Sequence, residues 1–192
     1  MDLATGPGKC VIVSAPSGAG KTTIVRSLLA QGLRLAFSVS ATSRAKRSFE
    51  VDGQDYFFIT AEEFRRRIDA DDFVEWEEVY PGRFYGTLKS EIDRIWAQGN
   101  SAIFDVDVVG GLHLKEVFGA RALALFVSPP SVQALEERLK ARNTETPESL
   151  KERVDKAAHE MTFADRFDAV VVNDTLEHAC AEAYGLVRAF LN

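Results

Sequence analysis

The chain of 192 residues carries a formal net charge of −6, and 46% of its residues are hydrophobic. This length suits one compact α/β domain with smaller inserts, and the apolar share supports a sizeable core and excludes global disorder. The acidic balance argues against a general nucleic-acid binder, although it leaves room for a local basic pocket that binds phosphates.

Other classes of protein are excluded by what the sequence lacks. No apolar run is long enough to cross a membrane, and the N-terminus lacks the apolar core of a secretory signal. Cys10 and Cys180 are too few for a disulfide framework or a zinc site. The three histidines, His113, His159 and His178, show no metal-ligand spacing. We therefore expect a cytoplasmic protein with no membrane partner.

Short apolar runs alternate with helical patterns along the chain, which predicts βαβ units around a parallel sheet. Buried strands are predicted at residues 10–14, 101–107, 122–127 and 169–173. Helices are predicted at residues 21–31, 88–98, 132–142, 147–164 and 176–191. Ser131 is the expected cap of the third helix, and Thr146 followed by Pro147 is a strong start signal for the fourth.

The segment of residues 38–90 has a different character, because it is rich in aromatic, charged and turn residues. Short strands are predicted at residues 56–59 and 73–79. Thr60 and Glu63 form a capping-box pattern that opens a short helix between these strands. We expect this segment to project from the parallel sheet as an insert.

The strongest local signal is the run Ala-Pro-Ser-Gly-Ala-Gly-Lys-Thr at residues 15–22, which follows a predicted strand and opens a predicted helix. Gly18 and Gly20 let the backbone curl, so that successive N–H groups and the helix N-terminus form an anion site. Lys21 can reach the β- and γ-phosphates of a nucleoside triphosphate, and Thr22 can place its hydroxyl on Mg²⁺. An ordinary glycine-rich turn is the alternative, and the Gly-Lys-Thr sequence argues against it. The usual first glycine of this loop is an alanine here.

Further motifs follow this phosphate loop in a fixed order. They are a Ser-x-Thr-x-Arg-x-x-Arg run over residues 40–47, Glu50, Gly53 and Tyr56, Phe-Val-Glu-Trp at 73–76, Phe-Tyr-Gly-Thr at 84–87, Phe-Asp-Val-Asp at 104–107, Pro-Pro-Ser at 129–131 and Val-Asn-Asp at 172–174. In this order, from residue 9 to about the C-terminus, they closely resemble the guanylate kinase family. The resemblance implies a P-loop NTPase core with a central parallel sheet flanked by helices, a GMP-binding insert and a helical lid.

The resemblance also implies three parts of the chain. They are a core of residues 1–37, 91–131 and 165–192, a GMP-binding insert of residues 38–90, and a lid of residues 132–164. It further implies transfer of the γ-phosphoryl group of ATP to GMP, with dGMP as a further acceptor and Mg²⁺ as cofactor. Whether the chain forms a homo-oligomer is left open.

Individual roles follow from the same resemblance. The implied ATP-binding residues are Ala15, Pro16, Ser17, Gly18, Ala19, Gly20, Lys21, Thr22, Thr23 and Asn173. The implied GMP-binding residues are Ser40, Arg44, Arg47, Tyr56, Glu75, Tyr85, Thr87, Asp105 and Asp107. The implied catalytic residues are Lys21, Arg44, Arg138, Arg142 and Arg153. Thr22 would hold the magnesium ion directly and Asp105 through a water, although the separate roles of Asp105 and Asp107 stay open.

These residue types suit recognition of a guanine nucleotide. The carboxylate of Glu75 can accept from both N1–H and N2–H of guanine, and the hydroxyls of Ser40 and Thr87 can donate to O6. Adenine mismatches this pattern, and a mismatched buried polar site can discriminate by about 10⁴-fold. Arginine offers a planar fork for the GMP phosphate. We assign the neighbouring Glu77 and Glu78 to a solvated surface.

Some positions depart from the family pattern. Phe49 replaces a usual glycine, Val109 a usual glutamine, and Asn143 another glycine, and the segment before Arg83 is one residue longer than usual. None of these changes removes a residue assigned to charge or base recognition. A kinase for another nucleoside monophosphate or a sugar phosphate is the nearest alternative. A peptide-binding module that has lost catalysis is the alternative from another class.

Overall fold

The computed structural model describes residues 8–141 and 147–192, with the side chains of residues 147–149 outside that description. Its strands are β1 (Cys10–Ser14), β2 (Leu35–Phe37), β3 (Ala41–Thr42), β4 (Phe57–Phe58), β5 (Phe73–Tyr80), β6 (Arg83–Leu88), β7 (Ser101–Val106), β8 (Ala122–Ser128) and β9 (Ala169–Val172). Its α-helices are α1 (Lys21–Leu29), α2 (Ala61–Asp69), α3 (Lys89–Ala97), α4 (Val108–Phe118), α5 (Val132–Ala141), α6 (Pro147–Met161) and α7 (Leu176–Leu191). The predictions for Arg142, Asn143 and Thr146 lie outside the described residues.

A parallel sheet of five strands, in the order β2-β7-β1-β8-β9, forms the centre of the molecule. Every residue of β1 is buried, because helices cover both faces of the sheet. Val11 and Val13 pack on one face with Ile24 of α1, whereas Ile12 packs on the other face with Ile92 of α3. The predicted fold class, a central parallel sheet flanked by helices, is confirmed.

A second sheet of four strands, in the order β4-β3-β6-β5, is built from the segment between α1 and α3. Its small core contains Phe64 of α2, which stacks on Phe73 with ring centroids 4.3 Å apart and on Phe84 at 5.3 Å. The capping-box prediction for α2 is confirmed in its first half, since the Thr60 hydroxyl accepts from the Glu63 N–H at 3.0 Å. This sheet places the aromatic and charged residues of the segment beside the parallel sheet.

Several elements were not expected from the sequence. Strands β2, β3 and β6 are short or only partly apolar, and helix α4 contains two adjacent glycines that lower helix propensity. Packing explains one of these glycines, because a Cβ atom on Gly111 would lie 2.2 Å from the Ser14 hydroxyl of β1. The Asp107 side chain caps α4 by accepting from the Gly110 N–H at 2.7 Å.

The predicted helix boundaries are otherwise close to those observed. The Ser131 hydroxyl accepts from the Ala134 N–H at 3.0 Å, so the predicted cap of α5 is confirmed. Helix α6 ends at Met161, three residues earlier than predicted, because a 3-10 turn at Ala164–Arg166 leads into β9. Of the helices in the described ranges, none is long and apolar enough to span a membrane.

Candidate active site

A cleft of about 760 Å³ lies where the phosphate loop, the four-stranded sheet and helix α6 meet. A smaller pocket of about 250 Å³ adjoins it and extends along β5 and β6. Residues that line both are Lys21, Ser40, Tyr56, Asp105, Asp107 and Lys156. The predicted donor residues of the phosphate loop and the predicted acceptor residues of the insert therefore border one continuous space.

The phosphate loop joins β1 to α1 through two glycines in the left-handed region, Gly18 with φ 95° and Gly20 with φ 99°. A Cβ atom on Gly20 would also lie 2.3 Å from the Asn173 amide nitrogen, so this position requires glycine on two grounds. Ala15 and Ala19 are buried in the core cluster beneath the loop, which accommodates alanine at the usual first glycine. Helix α1 begins directly after the loop, so its free N–H groups face the cleft.

Asp105 connects the two working side chains of the phosphate loop. Its Oδ1 atom lies 2.8 Å from Lys21 Nζ, and its Oδ2 atom accepts from the Thr22 hydroxyl at 2.8 Å. Lys21 also donates to the Val106 carbonyl at 2.6 Å. The register explains this arrangement, because β7 runs beside β1 with Asp105 opposite Val13. Both acidic residues predicted at the end of this strand line the cleft.

The oxygen atoms of Thr22 and Asp105 form the kind of hard donor set that Mg²⁺ prefers. Within residues 8–141 and 147–192, no group of three or more acidic, histidine or cysteine side chains can hold a metal ion. Magnesium usually keeps several waters and binds through one or two protein oxygens plus substrate phosphates. The residues present therefore fit a magnesium ion that arrives with a nucleotide.

Glu75, Thr87 and Ser40 are the residues that we predicted to meet the guanine base. Glu75 of β5 lies opposite Thr87 of β6, whose hydroxyl donates to Glu75 Oε1 at 2.7 Å. Glu75 and Ser40 line the smaller pocket together. The pKa of Glu75 is raised to about 7, mainly by burial and in smaller part by the nearby charge of Asp107, while the hydrogen bond from Thr87 acts in the opposite sense. Glu75 is thus a poorly solvated acceptor with one oxygen left for a ligand.

The predicted phosphate-binding residues are brought together only in part. Arg44 lies over the Tyr56 ring, 5.0 Å from its centroid, and Tyr85 lies next to Tyr56. The two tyrosine rings contact each other edge to face, with centroids 5.9 Å apart. Arg47 instead has an exposed side chain and lines neither the cleft nor the smaller pocket. Arg44, Tyr56 and Tyr85 therefore form a preassembled group of donors at the rim of the pocket.

Glu50 is a functional residue that sequence reasoning left without a role. Both of its carboxylate oxygens accept from the Arg44 guanidinium, and one also accepts from the Arg47 N–H at 2.8 Å. The hydrogen bond from Arg44 holds the pKa of Glu50 down at about 2, although burial opposes this shift. Glu50 fixes the orientation of Arg44, and the only signal for it in the sequence was its place in the resemblance.

Of the arginines predicted for the lid, Arg153 contacts the phosphate loop directly and Arg138 contacts the segment after β9. Arg153 of α6 donates to the Ser17 hydroxyl at 2.7 Å, and Arg138 of α5 donates to the Asn173 carbonyl at 2.8 Å. Asn173 is 5% exposed, and its amide donates to the Ala19 carbonyl at 2.7 Å, so it supports the loop from behind. Of the predicted set, Arg153 lies on the cleft wall.

Glu77 corrects the sequence prediction of a solvated acid. Its side chain lines the smaller pocket beside Asp107, and its Oε2 atom is buried without a hydrogen-bond partner among the described atoms. Burial raises the pKa of Glu77 to about 7, and the charge of Asp107 adds to the shift. The reason is the strand itself, because residues two apart share a face and Glu77 follows Glu75. Glu78 has the expected exposure and accepts from the Gly82 N–H at 2.6 Å.

The departures from the family pattern have simple structural outcomes. Phe49 is 76% exposed in a turn closed by the Glu50 N–H donating to the Arg47 carbonyl at 3.1 Å. Val109 is exposed on α4. The longer segment before Arg83 forms the end of the β5–β6 hairpin, where Arg83 pairs with Tyr80.

Comparison with known proteins agrees with this geometry. The family model described as guanylate kinase matches residues 7–189. A guanylate kinase from Bacteroides fragilis is 51% identical over 187 residues, which cover 97% of this chain and 92% of that protein. A guanylate kinase from Salinibacter ruber is 52% identical over 183 residues, which cover 95% and 96%. The crystal structure of guanylate kinase from Anaplasma phagocytophilum superposes with a TM-score of 0.75 at 28% identity, covering 97% of this chain and 88% of that one. The chain belongs to the guanylate kinase family.

Proposed function

We propose that this protein is a guanylate kinase, an ATP:GMP phosphotransferase that converts ATP and GMP into ADP and GDP. The observation that carries the proposal is Glu75, which lines a pocket continuous with the phosphate loop and accepts from the buried Thr87 hydroxyl. A phosphate loop alone identifies a nucleotide donor and leaves the acceptor open. The buried carboxylate next to a hydroxyl supplies the missing acceptor specificity.

The acceptor is recognised at its two ends by different chemistry. Glu75 accepts from N1–H and N2–H of guanine, and the Ser40 hydroxyl donates to O6. Thr87 is assigned to O6 as well, which requires its hydroxyl to turn away from Glu75 when GMP binds. Arg44 holds the GMP phosphate together with Tyr56 and Tyr85, because Glu50 keeps its guanidinium in place. Arg47, exposed in the structure, is assigned to the same phosphate after the insert moves inward.

The donor is bound on the other side of the cleft. The ATP phosphates are received by residues 15–23, through the backbone N–H groups other than that of Pro16, which has none, and through the N-terminus of α1. Lys21 leaves Asp105 to reach them. Thr22 and, through a water, Asp105 would hold the magnesium ion. Bound there, Mg²⁺ neutralises charge on the ATP phosphates.

Transfer in this site needs little covalent chemistry. The attacking oxygen belongs to the GMP phosphate, which is already ionised, so no general base is required. Positioning and electrostatic stabilisation then account for catalysis. Lys21 from the loop and Arg153 from the lid stabilise the charge on the transferred group. We assign Arg138 and Arg142 of the lid to the same role. Asp107 orients the GMP side of the pocket.

Closure of the flanking parts keeps water from the reacting group. We assign residues 38–90 to a GMP-binding part and residues 132–164 to a lid, which close over a core of residues 1–37, 91–131 and 165–192. We further assign dGMP as a second acceptor, a cytoplasmic location and no nucleic-acid partner. A homo-oligomer is compatible with these assignments.

The decisive test measures ADP release from Mg-ATP with GMP, AMP, CMP and UMP in turn. We expect transfer to GMP far above the other three. The isosteric Glu75→Gln variant should lose roughly 10²-fold in kcat/KM for GMP, because glutamine offers one acceptor oxygen and an NH2 donor where guanine presents two donors. AMP transfer and ATP affinity should change little. The matched control is Glu78→Gln. Preference for another nucleotide, or an unchanged GMP preference in Glu75→Gln, would refute the acceptor assignment, and no ADP release with any acceptor would favour a binding module.

A further inference from the structure

Glu77 lies in an unusual electrostatic position. Its side chain shares the pocket with Glu75 and Asp107, and its buried Oε2 atom has no hydrogen-bond partner among the described atoms. The proposed base-binding role already uses Glu75, and Asp107 caps α4 through its Oδ1 atom. Burial of an unpaired carboxylate costs free energy, which a bound proton or a nearby cation offsets. A cation brought close to this third acid would therefore stabilise its ionised form.

Two cations line the same pocket, Lys21 and Lys156. Lys21 is engaged with Asp105 at 2.8 Å and belongs to the phosphate loop. Lys156 projects from α6 with a 54% exposed side chain, and its contact with Glu160 on its own helix is long, at 3.7 Å. Lys156 is therefore the cation with freedom to move, and its charge already lowers the pKa of Glu77 against the larger effect of burial.

We propose that Lys156 of the lid helix and Glu77 of the insert form an ion pair when both nucleotides are bound, and that this pair positions the closed lid over the acceptor site. The inference rests on the proposed function, because closure over two nucleotides is part of it. Among the described residues the two side chains are not within salt-bridge distance, so the pair forms by closure. Both residues are positioning residues, since they act through the lid rather than on the transferred phosphoryl group.

Closure should make the attraction between Lys156 and Glu77 stronger than that of an ordinary surface ion pair. Occupation of the pocket by a base removes water from Glu77, which strengthens its attraction to a nearby cation. Lys156 then exchanges its long contact with Glu160 for a shorter contact across the cleft. The ion pair holds the lid closed only when the acceptor pocket is filled. The donor and acceptor sites therefore close at the same time.

A double-mutant cycle tests the pair in the full-length enzyme. Glu77→Gln and Lys156→Met should each lower kcat with GMP and ATP by about 5-fold, and the double variant should lose about 5-fold rather than about 25-fold, as expected for two residues that act through one interaction. Lys156→Arg should retain most of the wild-type kcat. GMP affinity measured without ATP should change less than about 2-fold, because the pair forms on closure. Glu78→Gln and Lys151→Met, on exposed positions of the same strand and helix, are the matched controls.

Each outcome of the cycle has a distinct meaning. Multiplying effects would overturn the pair and indicate that Lys156 and Glu77 contact the nucleotides separately. Wild-type rates in both single variants would overturn it as well, and so would a large loss of GMP affinity in Glu77→Gln without ATP. Failure of the proposed function is distinguishable, because the wild-type enzyme would then show no transfer to GMP at all.

Discussion

The two sheets of the molecule use their residues in opposite ways. The parallel sheet buries apolar side chains on both faces, and its central strand β1 is buried at every position. The four-stranded sheet buries one face around Phe64, Phe73 and Phe84, and presents Glu75 and Tyr85 on its other face to the pocket. The first sheet is therefore built for stability and carries the phosphate loop at the carboxyl end of its central strand. The second sheet instead presents polar side chains to the pocket that we propose as the acceptor site.

A bulge in β5 makes the second arrangement possible. The register with β6 shifts between Phe73 and Glu75, so that Phe73 points into the small core although residues two apart normally share a face. Beyond the bulge, Glu75 and Glu77 both face the pocket. A single irregularity thus separates the stabilising end of the strand from its binding end.

The largest effect on activity should come from the phosphate loop, at the carboxyl end of the central strand of the parallel sheet. Lys21→Ala removes the cation that meets the ATP phosphates, so transfer to GMP should fall by roughly 10³-fold. The folds of both sheets should persist, since the loop backbone and its glycines are unchanged. Steady-state ADP release and far-ultraviolet circular dichroism measure the two quantities. Lys89→Ala, which removes an ion pair with Asp71 outside the cleft, is the control. Near-normal turnover in Lys21→Ala would refute the assignment.

The next effect should separate the stabilities of the two sheets. Phe64 is fully buried and stacks on two aromatic rings, so Phe64→Ala should cost about 3–5 kcal/mol. Because the second core contains few residues, we expect the loss to be local to that sheet. Hydrogen exchange should lose protection over β3 to β6 while β1 and β8 stay protected, and GMP binding should fail before ATP binding. Equal loss of protection in both sheets would show that they unfold as one unit.

The same contrast explains what could be predicted from the sequence. Strands β1, β7 and β8 are continuous apolar runs with both faces covered, so composition alone predicted them. Strands β2, β3 and β6 are short or partly exposed. Helix α4 carries two adjacent glycines, of which Gly111 is explained by its packing against Ser14. Elements of this kind depend on tertiary contacts that local propensity does not contain.

The candidate site divides along a similar line. The spacing of residues 15–22 is enough to predict the phosphate loop. The pocket residues are predicted only by the resemblance to a family, because no periodic pattern connects them. The acidic run of residues 69–78 predicts an exposed surface, which is why the sequence assigns Glu77 to solvent. Strand alternation from Glu75 instead places Glu77 in the pocket. The role of Glu50 depends on a bidentate contact with Arg44, six residues away in a loop, which no pattern predicts.

A third prediction measures what the binding face costs in stability. The folded-state pKa of Glu75 is about 7, above its ordinary 4.5, so its burial favours the protonated form and destabilises the fold where the group is ionised. Glu75→Gln should therefore raise the free energy of unfolding by about 2–3 kcal/mol at pH 8. The gain should shrink as pH falls below 7 and vanish below about 4.5, because wild-type Glu75 is then protonated in both states.

Urea unfolding at a series of pH values, with Glu78→Gln as the matched control, measures this difference. The variant should be more stable and less active than the wild type, since the same carboxylate that accepts from guanine destabilises the free protein. A stability gain that persists unchanged at pH 4 would show that the effect does not arise from ionisation of Glu75.

The smallest effect should come from Phe49, at the exposed edge of the insert. The non-glycine residues of the described chain with positive φ are Arg34 and Asp71, so Phe49 has a backbone conformation that any residue can adopt. Phe49→Gly would add freedom to the unfolded chain without relieving strain in the fold, so it should lower the free energy of unfolding by about 0.5–1 kcal/mol. Glu50 and Arg44 remain joined, and GMP efficiency should stay within about 2-fold of wild type because the turn itself is unchanged. Urea unfolding together with GMP kinetics measures both quantities. A stabilised variant would mean that the turn strains Phe49. A large loss of GMP efficiency would mean that the exposed Phe49 ring closes onto the acceptor. Phe49 would then join the polar side chains on which recognition in the insert depends.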